Sequence, residues 1–178
     1  MLALAVSCYA QPLAGRMEDG RFAVSAPQFN FLKEGPALLR LKNGTPVAYD
    51  FHLALWVGSK STVYRRSFER FVVSYDLWEE KFSVTGLRTP RPTASGLGPV
   101  EVAAWCLRHL SLPSVELSGR PLYWLRLDVA PAEKRPSGST LQEPTAIDLK
   151  QIVEWFSRPR RAGENRWTLE AGPLRAQP

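Results

Sequence analysis

The chain has very few of the side chains on which metal centres and nucleophilic enzymes depend. Its 178 residues include two histidines, His52 and His109, and two cysteines, Cys8 and Cys106. Cys106 and His109 could supply two ligands from one side of a helix, but a structural zinc site needs four and a catalytic one usually three. There is also no Gly-x-Ser-x-Gly elbow to hold a nucleophile beside a base. The sequence therefore disfavours both a metal site and nucleophilic catalysis, and Cys106 is expected to be a buried thiol.

Motifs for phosphate binding and for paired-carboxylate chemistry are absent too. The sequence has no Gly-x-Gly-x-x-Gly and no Walker loop, and the stretch 96–99 has a proline where a phosphate cradle needs backbone N–H donors. Glu79 and Glu80 are adjacent at a predicted turn, so their carboxylates diverge. We therefore expect no cofactor, and no residue is predicted to be catalytic.

Composition and charge indicate a single globular domain. The chain is 44% hydrophobic and 22% charged, which is ordinary for a folded protein. Its net charge of +6 comes from 23 Lys and Arg against 17 Asp and Glu. Such an excess favours non-specific association with anions, but no nucleic-acid-binding module accompanies it. Nucleic acid is therefore not an expected partner.

The N-terminus resembles a secretory leader. Leu2 to Ala14 form an apolar run that includes Cys8-Tyr9-Ala10, a loose fit to the small-residue pattern before a signal-peptidase site. The run is too short to span a bilayer, and the basic residues that open a leader are missing. We interpret residues 1–16 as the remnant of a signal peptide and residues 17–178 as one domain; the alternative is a frayed, mildly apolar terminus. A disulfide between Cys8 and Cys106 is then not expected.

The strongest structural signal is the segment Val47–Val57, in which apolar residues alternate with a second row of side chains. Period two predicts a long strand with one face on a core. Comparable patterns predict strands over 21–25, 71–77, 82–84, 121–130 and 166–171, helices over 36–42, 99–110 and 145–156, and mobile loops near 88–99 and 131–144. The helix over 99–110 is expected to bury the stripe Val100, Ala103, Ala104, Leu107 and Leu110.

Together these elements predict an α+β domain. Its sheet should be mainly antiparallel and twisted, with five or six strands, either open or folded over as a sandwich, and with two or three covering helices.

The second row of the long strand supplies the candidate binding site. His52 and Trp56 share its face, and Trp124 and Arg126 occupy the corresponding face of the later strand. If this face is open, these side chains line a groove for a ligand or partner; if helices cover it, they are core residues. A rival interpretation is an enzyme pocket centred on His52 and Asp50.

A basic cluster provides a second candidate surface. Arg158, Arg160 and Arg161 follow the predicted helix 145–156, where cations interact favourably with the helix dipole. The alternative is peripheral contact with anionic lipid head groups.

The order of the elements resembles the bacterial domain-of-unknown-function 4390 family over roughly residues 21–170. The resemblance is carried by Gly44-Thr45-Pro46-Val47, Phe71-Val72-Val73-Ser74-Tyr75, Lys81-Phe82-Ser83-Val84, the helix around 101–110 and Leu125-Arg126-Leu127-Asp128. It implies a small exported protein, periplasmic or envelope-associated, and implies no catalytic residues. The resulting hypothesis is a non-enzymatic module that binds a protein partner or an envelope component.

Overall fold

The computed structural model describes residues 13–18, 21–113, 122–132 and 165–175. In chain order the elements are β1 (Ala14–Glu18), β2 (Arg21–Ser25), α1 (Pro36–Lys42), β3 (Val47–Val57), β4 (Arg65–Asp76), β5 (Lys81–Gly86), β6 (Thr93–Leu97), α2 (Pro99–His109), β7 (Ser111–Pro113), β8 (Leu122–Pro131) and β9 (Trp167–Arg175). The protein is therefore α+β and mainly β, as predicted.

The strands form two antiparallel sheets. The large sheet has six strands in the order β6-β5-β4-β3-β8-β9, and the small one has the order β1-β2-β7. From β3 to β6 the chain runs as a meander in which each strand pairs with the one before it. The last two strands, β8 and β9, complete the sheet on the other side of β3. The predicted antiparallel sheet is confirmed.

β3 is a central strand of the large sheet, paired with β4 on one side and β8 on the other. One row of its side chains is fully or almost fully buried, namely Val47, Tyr49, Phe51, Leu53 and Leu55. This is the apolar face that the alternation predicts. Because a shift of one residue would turn this row away from the core, burial fixes the register of β3 against both neighbours.

The small sheet and the helices cover the apolar face of the large sheet. The ring of Phe22 in β2 meets Tyr123 of β8 edge-on at 5.5 Å between centroids. The Tyr123 hydroxyl donates a hydrogen bond of 2.9 Å to the carbonyl oxygen of Gly15 in β1. In α2, Trp105 packs edge-on against Phe71 of β4 at 5.9 Å. The core thus lies between two layers, one of them the large sheet.

Part of the core comes from the connection between β2 and α1, which has no regular structure. Phe31 in this connection is fully buried. Its ring centroid lies 4.7 Å from that of Tyr49, 5.3 Å from Phe51 and 6.2 Å from Trp167. One loop residue therefore joins the aromatic side chains of β3 and β9.

The loop predicted near 88–99 is wrong for residues 93–97, which form β6. This strand pairs with β5 at the edge of the sheet, through a register shift between Phe82 and Val84. Its residues, Thr-Ala-Ser-Gly-Leu, give little strand signal of their own, so backbone pairing with β5 decides the structure. Pro90 and Pro92 precede the strand and remove no hydrogen bond from it.

The N-terminal boundary differs from the prediction as well. Leu13 is buried in the core and β1 begins at Ala14, so residues 13–16 of the leader-like segment 1–16 belong to the fold. Residues 1–12 lie outside the described residues.

The helix predicted from Pro99 is confirmed, but its buried face is rotated from the predicted stripe. Val100 and Ala104 are exposed, whereas Val102, Ala103, Trp105, Cys106 and Leu107 are buried. The rotation follows from the position of α2, which contacts both β2 of the small sheet and β5 of the large one. The loop predicted near 131–144 begins one residue too early, because Pro131 ends β8. Its residues 133–144 and the predicted helix 145–156 lie outside the described residues.

Candidate functional site

The face of the large sheet that points away from the core brings charged and aromatic side chains together. Alternation along β3 places Asp50, His52 and Trp56 on this face, and the register sets residues of β4, β8 and β9 beside them. We call the surface the polar sheet face; it comprises Asp50, His52, Trp56, Arg66, Phe68, Arg70, Trp124, Arg126, Asp128, Thr168 and Glu170. The four side chains predicted to share one sheet face do share it: His52, Trp56, Trp124 and Arg126.

Asp50 and Arg70 form a two-pronged ion pair between β3 and β4. The two residues are register partners. Arg70 donates from Nε to Oδ1 at 2.5 Å and from Nη2 to Oδ2 at 2.7 Å. The Asp50 side chain is 5% exposed and that of Arg70 37%. Both carboxylate oxygens are therefore engaged below the surface, and the guanidinium lies outside them.

Asp128 of β8 is the most enclosed acidic group among the described residues, with a side chain that is 0% exposed. It accepts hydrogen bonds from Arg126, at 2.7 Å from Nε and 3.2 Å from Nη2, and from the Thr168 hydroxyl at 2.7 Å. Nη2 of Arg166 lies 3.3 Å from Oδ1. Several donors thus replace the water that burial removes from this carboxylate.

His52 lies between the two ion pairs. Its register partners are Phe68 on β4 and Asp128 on β8, and its ring centroid is 4.6 Å from that of Phe68. Only 6% of the residue is exposed. Burial lowers the pKa of His52 to about 4; the positive charges of Arg166 and Arg70 add to the effect, and Asp128 partly opposes it. The imidazole is therefore neutral at pH 7.

We expect His52 to make the fold less stable in acid. Its pKa is about 4 in the fold against 6.5 for the ordinary group, so between these values the unfolded chain binds a proton that the folded chain does not. The free energy of unfolding should fall by about 2–3 kcal/mol between about pH 7.5 and 4.5 from this residue. Urea unfolding of the wild type and His52→Gln at both pH values measures it. Equal pH dependence in the two proteins would contradict the burial argument.

The geometry does not favour an enzyme pocket at His52 and Asp50. Arg70 occupies both oxygens of Asp50, and a general base works best with a pKa near the working pH, which His52 does not have. His52 is also too buried to line the groove predicted for it, since only 6% of the residue is exposed. A cavity of about 220 Å³ is lined by Glu34, Asn165, Arg166 and Trp167, and neither His52 nor Asp50 is among its lining residues.

Trp56 and Trp124 remain at the surface of the polar sheet face. They are register partners on β3 and β8, and both are half-buried. Gly172 of β9 lies against Trp124: a Cβ added there would be 2.6 Å from Cδ1 of the indole, and its φ of +127° also favours glycine. The missing side chain lets β9 approach the ring, which positions Trp124 beside the charged residues.

Cys106 and His109, the candidate pair of metal ligands, both lie on α2, one buried and the other exposed. Cys106 is buried in the core, and burial raises the pKa of its thiol. His109 Nδ1 lies 2.9 Å from the Trp105 carbonyl oxygen, and its ring is 3.9 Å from the Trp105 ring. Among the described residues no group of three His, Cys, Asp or Glu side chains could hold a metal ion.

The sequence did not predict several residues of the polar sheet face, and some residues that it did predict as a binding surface belong to another segment of the chain. Arg70, Asp128 and Glu170 were not predicted as site residues, because their neighbours come from other strands and leave no local spacing to recognise. Arg158, Arg160 and Arg161 lie outside the described residues.

No family model, no curated protein and no solved structure matches this chain. Within the part of the chain that the structure describes, neither helix has the length and apolar character needed to cross a bilayer.

Proposed function

We propose that this chain is a non-enzymatic exported module whose polar sheet face binds an acidic segment of a protein in the cell envelope. The observation that carries the proposal is how deeply each charged side chain on this face is buried. Asp50 and Asp128 lie at the bottom with guanidinium groups above them. The outer layer of the polar sheet face holds the guanidinium groups of Arg66, Arg70 and Arg126 against the exposed carboxylate of Glu170, so it offers a net positive charge.

Two pairs illustrate this layering. The Arg70 side chain is 37% exposed above an Asp50 side chain that is 5% exposed, and the Arg126 side chain is 32% exposed above an Asp128 side chain at 0%. Arg66 on the same face is exposed. A guanidinium has five N–H donors, and Asp50 engages two of those of Arg70. The remaining donors suit a carboxylate of a partner, which arginine binds with two parallel hydrogen bonds.

Half-buried tryptophans beside these arginines support binding further. Trp56 and Trp124 adjoin the charged groups. Aromatic side chains and arginine are the residues most enriched at protein interfaces, where they carry much of the binding energy. The partner we propose therefore offers carboxylates together with an apolar side chain that packs on the indoles.

The export part of the proposal rests on the apolar N-terminal sequence and on the resemblance to the 4390 family. Cell fractionation of the native host with an antibody to the chain tests it. We expect the protein in the periplasmic or membrane fraction; recovery in the cytosol alone would contradict export.

The binding part is tested with a partner captured from the native envelope, purified, and titrated by calorimetry. We expect one-to-one binding that weakens as salt rises, since exposed charges are screened. The double variant Asp50→Asn/Arg70→Gln, which exchanges the ion pair for an amide pair of similar shape, should weaken binding at least about tenfold. Arg66→Glu should act in the same direction.

The control is Arg91→Gln/Arg108→Gln, which removes two exposed positive charges that are not part of this face. If the control weakened binding as much as the site variants do, the net charge of the chain would explain the loss of affinity, and the polar sheet face would not. Equal affinity of the wild type and Arg66→Glu, or turnover of a substrate that His52→Ala abolishes, would overturn the proposal.

A further inference from the structure

The tip of the β4–β5 hairpin presents a large apolar surface to solvent. Trp78 is 96% exposed and Leu77 is 57% exposed. A tryptophan side chain gains a large amount of free energy when it is buried. Contiguous exposed apolar side chains are a common mark of interaction sites. Neither side chain has a role in the core or in the polar sheet face.

The tip holds these side chains in a defined turn. Oδ1 of Asp76 accepts hydrogen bonds from the backbone N–H groups of Trp78 at 2.8 Å and Glu79 at 3.0 Å. Glu80 takes the left-handed conformation, with a φ of 53°, that leads the chain into β5. A turn fixed in this way loses little conformational entropy when it binds, which favours association.

The tip is acidic in a chain that is basic overall. Asp76, Glu79 and Glu80 are all exposed, whereas the whole chain carries a net charge of +6. An anionic membrane surface repels such a tip. A partner surface that combines an apolar contact with positive charge fits it.

The chain itself has a surface of this kind on α1. Leu39 is 64% exposed, and Arg40 and Lys42 beside it are exposed as well. The helix ends at Lys42, shortly before β3 begins at Val47. Val47 pairs with Val73 of β4, three residues before Asp76. The end of α1 and the hairpin tip are therefore at the same end of the large sheet.

We propose that the chain forms a symmetric dimer in which the hairpin tip of each copy, residues 76–80, docks on α1 of the other. A two-fold interface must be self-complementary: whatever one copy offers, it must also accept. One end of this fold supplies both halves, an acidic tip with Trp78 and a basic helix with Leu39. The contact is small, so the dimer is weak and forms at micromolar concentrations or above. The polar sheet face stays free in it.

Sedimentation velocity over a range of concentrations tests the dimer with the full chain. The wild type should shift from monomer to dimer as its concentration rises. Trp78→Ala should weaken dimerisation by about 30-fold or more, the loss typical of a central aromatic residue. Val100→Ala, which shortens an exposed apolar side chain on α2, should leave the dissociation constant unchanged.

Charge reversal tests the pairing of tip and helix. Glu79→Lys/Glu80→Lys and Arg40→Glu/Lys42→Glu should each abolish the dimer, because each sets like charges against each other. The chain with all four substitutions should dimerise again, since its tip is now basic and its helix acidic. Arg91→Glu/Arg108→Glu changes the net charge as much as the helix reversal does and should dimerise like the wild type.

Three results would overturn the proposal. The first is a wild type that stays monomeric at every concentration. The second is a dimer whose variants contradict the pairing. Either Trp78→Ala leaves its dissociation constant unchanged, or the chain with all four charge substitutions stays monomeric although each double reversal weakened the dimer. The third is a monomer that sediments with zwitterionic vesicles through Trp78, which would assign the tip to a membrane. Circular dichroism of each variant shows that the fold is intact.

Discussion

Phe31→Ala should lower the free energy of unfolding by about 4 kcal/mol. The ring is fully buried and lies within 6.2 Å, centroid to centroid, of Tyr49, Phe51 and Trp167. Its removal takes apolar surface out of the core and leaves a cavity between the loop, β3 and β9 that these rigid rings cannot fill. Urea unfolding followed by circular dichroism measures the loss.

The matched control is Trp78→Ala, which removes a larger ring from a site that is 96% exposed. We expect a change within about 0.5 kcal/mol in dilute solution, because this ring makes no core contact in the fold. If Phe31→Ala cost less than about 1 kcal/mol, the loop between β2 and α1 would not be part of the cooperative core.

The contrast between β3 and this loop shows what the sequence can predict about the fold. In β3 a single rule, alternation with period two, gives the element, its bounds and its buried row. Phe31 follows no period, since its neighbours make turns and bends, and only the arrangement of other strands makes it a core residue. Loop residues of this kind cannot be predicted from local pattern.

The faces of helices and edge strands depend on the same long-range information. The apolar residues of α2 surround much of the helix, so its burial is set by what lies on each side, here β2 and β5. β6 exists because β5 offers an edge. The position of α2 could be predicted although its contacts could not, whereas β6 was predicted as a loop because its residues carry little strand signal of their own.

For the candidate site, the face of the sheet on which each side chain lies could be predicted, but how deeply each side chain is buried could not. Alternation places His52, Trp56, Trp124 and Arg126 on one face, but their partners depend on the register between strands. The connection from β3 to β4 spans residues 58–64, and its length sets the register of β4 against β3. If β4 were shifted by one residue against β3, Arg70 would face the core and could not pair with Asp50.

Asp128→Ala should destabilise the fold by about 3–5 kcal/mol, the loss seen when one partner of a buried ion pair is removed. The Asp128 side chain is 0% exposed. Its removal takes away the acceptor of two hydrogen bonds from Arg126 and one from Thr168, and also the carboxylate that Arg166 faces at 3.3 Å. Positive charge then stays in a poorly hydrated place without its nearest counter-charge.

Glu170→Ala is the matched control for this loss, because Glu170 also faces Arg126, at 3.6 Å, but with a side chain that is 51% exposed. An exposed pair contributes at most about 1 kcal/mol, since water solvates both charges when it breaks. Urea unfolding of the two variants at pH 7 should therefore separate them by at least about 2 kcal/mol. If they were equally stable, Asp128 would not organise the polar sheet face, and the layering of charge on which the proposed binding depends would lose its foundation.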